Sequence, residues 1–243
     1  MAGRLAPPVA LPKRFYKTVS TAQVSGRTGI FLDGKPVRTP AGAPLTVPTD
    51  ALARMLADEW QAQATHIDMT RMGAVRLAST AIDFIPQARD AVAEEIARYA
   101  GSDALCYFAE GPDALIERQT VRWGAMLEWA ARDLQLEFVR TTGIGHKAQP
   151  SATLERVQRL AGEEGDFALA GLAHATALLG SAILAFALQR GQLDGDAALD
   201  LSRLDEVFQQ ERWGVDEEAA ERTANMLVEA RMLDAWFKAL GES

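Results

Sequence analysis

Short runs of alternating apolar and polar residues occupy positions 15–47 and are separated by turn residues. Alternation with a period of two is typical of strands with one buried face. It predicts strands over 16–24, 28–32, 36–39 and 45–47. Asp33-Gly34 lies between two of them, and this pair favours a two-residue hairpin because glycine accepts the positive φ of such a turn.

Apolar residues at helical spacing dominate the rest of the chain and predict helices over 50–62, 72–84, 86–101, 112–134, 151–160, 167–189, 196–213 and 216–240. Ser151, Asp196 and Asp216 are the expected N-caps of three of these helices. Two strand-like runs, 105–108 and 136–140, are expected to pair with each other. The prediction is an α+β fold: a small antiparallel sheet with helices over 1–82, then a mainly helical domain over 83–243.

The stretch 201–214 carries the most distinctive pattern, because one side of its predicted helix is apolar while the other is acidic and aromatic. Leu201, Leu204 and Phe208 fall on the apolar side. The opposite side gathers Ser202, Asp205, Glu206, Gln209, Gln210 and Trp213. An aromatic residue framed by polar ones is typical of a protein-binding surface. The alternative, that Trp213 only packs against the following helix, stays open on pattern alone.

Glu59-Trp60 ends the first predicted helix and is a second candidate for partner binding. Trp60 lies at helical spacing from Leu52 and Leu56, which favours a core or interdomain position over direct contact with a partner. Elsewhere in this region, Lys35, Arg38 and Arg71 are candidates for a basic spot, although scattered solvated charges are the default expectation.

Composition and charge restrict the classes of partner. A net charge of −8 argues against nucleic acid and anionic lipid, because phosphate binding needs clustered lysine and arginine. The single cysteine, Cys106, allows no intramolecular disulfide. It stands in an apolar run, which favours a buried, inert thiol over a nucleophile.

Two segments bear on membranes and targeting. Residues 167–189 hold no Asp, Glu, Lys or Arg, but they are rich in alanine and broken by small polar residues. This composition favours a buried helix of a soluble core over membrane insertion. Residues 1–15 are interrupted by Pro7, Pro8 and Pro12, so neither a secretory signal nor an amphipathic presequence is expected there. The expected location is cytoplasmic for a bacterial protein, or the mitochondrial matrix for a trimmed eukaryotic one.

Catalytic motifs are scarce. His66, His146 and His174 are far apart in the chain and form no zinc-helix pair. The loop 143–147 lacks the spacing of a phosphate-binding loop, and no nucleophile elbow occurs. His174 is expected to be a hydrogen-bonded core residue. The scarcity of motifs argues against an enzyme without excluding one, and no cofactor or metal is expected. The alternative that stays open is a small-molecule enzyme with its site in a cleft between the two domains.

Six strings, in order along the chain, resemble the assembly chaperones that act on the α subunit of F1-ATPase, the soluble sector of ATP synthase. They are Leu32-Asp33-Gly34-Lys35-Pro36-Val37-Arg38-Thr39-Pro40; Glu59-Trp60; Ser102-Asp103-Ala104-Leu105-Cys106-Tyr107; Gln119 with Trp123 and Trp129; Leu179-Gly180-Ser181; and Leu204-Asp205-Glu206 through Gln209 to Trp213-Gly214, with Asp216, Glu218 and Arg222.

The resemblance implies a non-enzymatic chaperone that binds the free F1 α subunit. A monomer is expected, although the sequence itself does not fix the oligomeric state. It implies that the protein masks the surface that later meets the β subunit and so prevents aggregation before the ring forms. The helix that carries Asp205 and Glu206 resembles the family's binding element, and these carboxylates are expected to present charge to a basic partner surface. Gln209, Trp213, Glu59 and Trp60 complete the expected contact residues.

Overall fold

A computed structural model describes residues 11–143, 145–214 and 216–241, and it begins with a small antiparallel sheet. The strands are β1 (Val19–Val24), β2 (Arg27–Leu32), β3 (Lys35–Pro36) and β4 (Thr46–Val47). β2 is the central strand and pairs with the other three. The predicted turn is confirmed, with φ of 48° at Asp33 and 77° at Gly34. A second turn of this kind, at Ser25-Gly26, joins β1 to β2.

Helices make up most of the chain after the sheet. They are α1 (Asp50–Gln61), α2 (Gly73–Asp83), α3 (Ile85–Ala100), α4 (Asp113–Leu134), α5 (Ser151–Gly162), α6 (Asp166–Leu179), α7 (Ala182–Gln189), α8 (Gly195–Ser202), α9 (Leu204–Trp213) and α10 (Glu217–Gly241). A small N-terminal sheet and a mainly helical region after it confirm the predicted α+β class.

The two-stranded element exists, but the predicted strand over 136–140 is wrong. β5 (Tyr107–Phe108) instead pairs in parallel with β6 (Thr141–Thr142), which directly follows the predicted strand. Residues 136–140 are held by side chains rather than by a strand partner. The buried side-chain amide of Gln149 accepts a hydrogen bond from the Val139 N–H (2.8 Å) and donates one to the Val139 carbonyl (2.9 Å). A side chain therefore satisfies the backbone groups that a neighbouring strand would have paired.

Two predicted helices are each divided in two. The segment 167–189 breaks at Gly180, whose φ of 64° ends α6, and the Ser181 hydroxyl then caps α7 by accepting from the Leu184 N–H. The segment 196–213 breaks at Arg203, between α8 and α9. There the Ser202 hydroxyl donates to the Leu199 carbonyl (2.8 Å), a local bond that competes with helix continuation.

The predicted helix caps have mixed outcomes. Asp216 is confirmed, since its carboxylate accepts from the Ala219 N–H at 2.7 Å. Asp196 and Ser151 are wrong: Asp194 caps α8, and Pro150 precedes α5 without a side-chain cap. Asp196 is instead paired with Arg231 of α10. Asp196 thus lies in the first turn of α8, two residues after the cap that this helix uses.

The buried residues form one continuous apolar cluster that runs from Tyr16 to Ala239. The predicted boundary at 82/83 falls just before the last residue of α2, and the two-domain division stays a prediction. Cys106 is buried, as expected, and burial raises the pKa of its thiol to about 12. His174 is hydrogen-bonded to Glu229 (2.9 Å) but half-buried, so its predicted core position is wrong. Among the helices described, none has the length and apolar character to cross a membrane.

Candidate protein-binding surface

Helix α9 divides its residues between a buried and an exposed face. Leu204 and Phe208 are buried, as the sequence pattern predicted. Glu206 and Gln209 are exposed, and Trp213, in the last turn, keeps 79% of its surface accessible. Residues at this spacing share one side of a helix. The structure therefore brings the acidic and aromatic candidates together on one outward face, and Trp213 does not pack away against the next helix.

Asp205 lies at the edge of this face and is half-buried. Its Oδ1 accepts a hydrogen bond of 2.7 Å from the Gln119 side-chain amide on α4. Gln119 is fully buried, and its own carbonyl oxygen accepts from the Ala109 N–H at 2.9 Å, which fixes the orientation of the amide. Asp205 is therefore held in place by a neutral group.

The charge of Asp205 is poorly compensated. Burial raises the pKa of Asp205, the Gln119 bond opposes this, and the adjacent Glu206 charge raises it further. Neither carboxylate forms an ion pair with any residue that the structure describes. A half-buried acid without a cationic partner is an electrostatic site that a lysine or arginine from another protein can complete.

Neighbouring contacts fix α8 and α9 to α4. Arg118 on α4 binds both carboxylate oxygens of Glu211 at 2.9 Å, and its guanidinium lies over the Phe208 ring. Arg122 pairs with Asp200 at 2.7 Å, and the Trp123 indole donates to the Leu201 carbonyl at 2.9 Å. The sequence pattern did not reveal this support, because an i, i+4 spacing gives no information about contacts between helices distant in the chain.

Glu59 and Trp60 lie elsewhere, on α1, which packs on the sheet, α2 and α10. The Glu59 carboxylate accepts from the Ala74 and Val75 N–H groups, both at 2.8 Å, and so caps α2. Burial raises the pKa of Glu59, and these two hydrogen bonds oppose the increase. These contacts give Glu59 a structural role in capping α2. Its expected contact with a partner stays a prediction.

Trp60 is 8% exposed and stands edge-to-face with Tyr16, whose hydroxyl donates to the Trp60 carbonyl at 2.6 Å. This is the core position that the helical spacing favoured. The indole nitrogen is buried without a hydrogen-bond partner among the residues described. The site residues predicted from sequence thus fall into an exposed group on α9 and a structural pair on α1.

Two of the six sequence strings, those that contain Asp103 and Ser181, meet in the core. The buried Asp103 carboxylate accepts from the Leu105 N–H and, across the fold, from the Ile183 N–H at the start of α7. Burial raises the pKa of Asp103 to about 6, while these bonds and one from Ser181 oppose the increase. The strings around Asp103 and Ser181 therefore have a shared structural role at the junction of two segments.

An exposed tryptophan beside an uncompensated acidic site, on a helix fixed by its neighbours, is the arrangement expected of a protein-binding surface. Comparisons with known proteins identify the family. A family model described as ATP12 chaperone protein matches residues 13–131. The mitochondrial protein atp12 of Schizosaccharomyces pombe is 27% identical over 222 residues, covering 86% of this chain and 76% of that protein.

Solved structures extend the likeness to nearly the whole chain. Atp12 from Paracoccus denitrificans is 36% identical with a TM-score of 0.88, covering 94% of this chain and 98% of that one. A structure from Agrobacterium tumefaciens, described as a chaperone candidate, is 44% identical with a TM-score of 0.90, covering 95% of this chain and 87% of that one. The chain belongs to the ATP12 chaperone family, the assembly chaperones of F1-ATPase, which confirms the resemblance found in the sequence.

Proposed function

We propose that this chain binds the free F1 α subunit and covers the surface that later meets the β subunit, so that α does not aggregate before the α/β ring forms. An unassembled subunit of an oligomer exposes an apolar interface that promotes self-association. A protein that masks such a surface and later releases it needs a contact of moderate strength with a substantial polar component.

The observation that carries the proposal is the outward face of α9. Trp213 offers a large apolar anchor, the residue type most often found at binding hot spots. Asp205 and Glu206 offer negative charge that no described residue neutralises. A client surface with a basic side chain near an apolar recess fits both features at once.

Rigidity of this face supports the same role. The Arg118–Glu211 pair and the Gln119–Asp205 bond hold α9 in place before any client arrives. A surface that is already ordered loses less conformational entropy on binding. The affinity can therefore depend on a small contact area, which suits a chaperone that must release its client.

The proposed role requires no catalysis. The alternative was an enzyme with its site between the two predicted domains. A hollow does lie where α2 and α3 face α6, but its lining is mainly apolar, with Arg76 and His174 as its basic side chains. His174 is already hydrogen-bonded to Glu229. No observation on the described residues favours the enzyme over the chaperone.

We infer the location and the oligomeric state of the protein from its proposed function. We place the protein in the bacterial cytoplasm, or in the mitochondrial matrix if it is eukaryotic, because both compartments contain unassembled F1 subunits. It should act as a monomer, since a client-masking face that was covered by a second copy could not also bind the client.

The test is charge reversal on α9. Asp205→Lys and Glu206→Lys should each lower the affinity for purified F1 α subunit by about tenfold or more, because each removes a negative charge from the contact and adds a positive one. Binding is measured by pull-down and by titration, and suppression of α aggregation is followed by light scattering.

Glu94→Lys is the matched control, since Glu94 is an exposed acid on α3 without an ion pair among the residues described. It should leave binding unchanged. Circular dichroism and the urea midpoint must show that each variant folds. If folded Asp205→Lys and Glu206→Lys proteins bind F1 α subunit as well as the wild type does, α9 is not the binding element.

A further inference from the structure

A groove of about 860 Å³ lies between α2 and the stretch 35–40, which includes β3. We call it the sheet groove, and its lining includes Phe15, Lys35, Arg38, Met69, Arg76 and Phe84. Trp60 forms part of its floor. The α9 surface contributes no residue to this lining, so the sheet groove is a separate feature of the molecule.

Exposed apolar side chains are concentrated at the sheet groove. Phe15 is 75% exposed, Phe84 56% and Met69 40%. They are three of the seven large apolar side chains that the described part of the chain leaves exposed. Single exposed apolar residues are ordinary, but several around one concavity mark a binding site.

The charge around the sheet groove is opposite in sign to that of the whole protein. Lys35, Arg38 and Arg76 are exposed, and none of them pairs with an acid in the part of the chain that the structure describes. Arg38 makes one hydrogen bond, to the Gly42 carbonyl (2.7 Å). Arg76 forms no salt bridge among the described residues, but its charge acts on Glu59 and opposes the rise in the pKa of that carboxyl. In a chain of net charge −8, an apolar groove lined by these three cations is a local exception.

Asp83 is the acidic residue of the groove lining, and its carboxylate is already engaged. Oδ1 accepts from the Thr39 hydroxyl at 2.6 Å, and Oδ2 accepts from the Ala41 N–H at 3.0 Å. These bonds orient Asp83 toward the loop after β3. These neutral partners leave the Asp83 charge in place, so the lining carries three cations and one anion. The groove therefore presents apolar surface and a net positive charge, and its complement is an apolar segment that carries carboxylates.

We propose that the sheet groove is a second client-docking site, which takes an extended apolar segment of the F1 α subunit bearing at least one aspartate or glutamate. This rests on the proposed function and adds where and how a second part of the same client binds. The α9 face would bind a basic part of the client and the sheet groove an acidic part. Two sites of opposite charge fix one orientation of the client, and two modest contacts together give useful affinity.

Charge also bears on two other candidate occupants of the sheet groove, residues 1–10 of this chain and a second copy of the protein. Residues 1–10 of the chain carry Arg4 and no acidic residue, so they do not complement Lys35, Arg38 and Arg76. A second copy of this protein could present the acidic α9 and Trp213 to the groove. That arrangement would cover the client-binding face, and it is an outcome that the experiment distinguishes.

The first experiment removes the groove's positive charge. A variant with Lys35→Glu and Arg76→Gln should bind purified F1 α subunit about tenfold more weakly than wild type. Glutamine at position 76 avoids a second carboxylate near Glu59. The control, Lys147→Glu with Arg54→Gln, makes the same charge change at exposed sites without ion pairs among the described residues and should change affinity less than about twofold.

The second experiment keeps all native charges. A photoreactive benzoylphenylalanine replaces Phe84, the complex with purified F1 α subunit is irradiated, and the crosslinked peptide is identified by mass spectrometry. A crosslink to an apolar α segment containing Asp or Glu supports the proposal. A crosslink to a second copy, to residues 1–10, or to nothing while α remains bound overturns it.

The two proposals can fail separately. If the wild-type protein does not bind F1 α subunit, the proposed function falls and the groove assignment falls with it. If wild type binds α but the groove variant binds equally well, or loses no more affinity than its control, only the groove assignment is wrong. In that case the α9 variants should still weaken binding.

Discussion

At the scale of single residues, Trp60 and Trp213 show what helical spacing can and cannot predict. Both lie in the last turn of a helix, and both belong to strings that resemble the same family. Trp60 repeats the spacing of buried leucines and is itself buried at 8% exposure, as its pattern indicated. Trp213 comes after a polar face, and the pattern left its position open because only the path of the next helix decides whether an end residue is covered. At 79% exposure it stays available for contact.

Truncation of these two tryptophans should separate a stability role from a binding role. Trp60→Ala removes a buried ring and should lower the free energy of unfolding by about 3–5 kcal/mol. Trp213→Ala should change it by less than about 0.5 kcal/mol. Urea unfolding with an unchanged m-value measures both. Among variants that fold, Trp213→Ala should weaken binding of F1 α subunit more than Trp60→Ala does. Equal stability losses in the two variants would contradict the assignment of Trp213 to the surface.

At the scale of elements, sequence periodicity predicted where helices and strands form more reliably than where they end. The break at Gly180 has a local cause, a glycine with positive φ followed by a capping serine, and distant residues reinforce it: the Ala104 N–H donates to the Gly180 carbonyl, and Asp103 accepts from Ile183. The chain around Val139 depends on the Gln149 amide. Such tertiary contacts override a local pattern, and a single sequence does not display them.

The packing of α8 against α10 provides an element-scale prediction. A Cβ at Gly195 would lie 2.5 Å from the Ala230 carbonyl oxygen, which is backbone and cannot rotate away. Gly195→Ala should therefore lower the free energy of unfolding by about 1–3 kcal/mol through overpacking.

Gly162→Ala, at the end of α5, is the control for that substitution. Its Cβ would meet only the Ala93 Cβ at 3.9 Å, an ordinary contact. Alanine there should keep stability unchanged or raise it by up to about 1 kcal/mol, because glycine is the poorer helix former. Thermal and urea unfolding of both variants measure the difference. A Gly195→Ala protein as stable as wild type would mean that α8 and α10 are not this close.

At the scale of the whole molecule, the sequence predicted the order of the two regions and the acidic α9 face, but not the sheet groove. The groove depends on Phe15, Met69 and Phe84 coming together from three separate segments, and none of these residues has a distinctive local pattern. Of the three cations considered as a basic spot, Lys35 and Arg38 do line the groove, with Arg76 in place of Arg71. Charge alone gave no reason to expect an apolar site beneath them.

The predicted boundary at 82/83 can be tested by asking whether the two regions unfold together. α2 packs on α6, α1 packs on α10, and the Thr49 hydroxyl donates to the Ala239 carbonyl at 2.7 Å. Because each region covers apolar surface of the other, separating them would expose much of the continuous core. We therefore expect one cooperative transition, with coincident urea curves from circular dichroism and tryptophan fluorescence. A fragment of residues 13–82 should show no cooperative unfolding, whereas two separate transitions or a folded fragment would establish two independent domains.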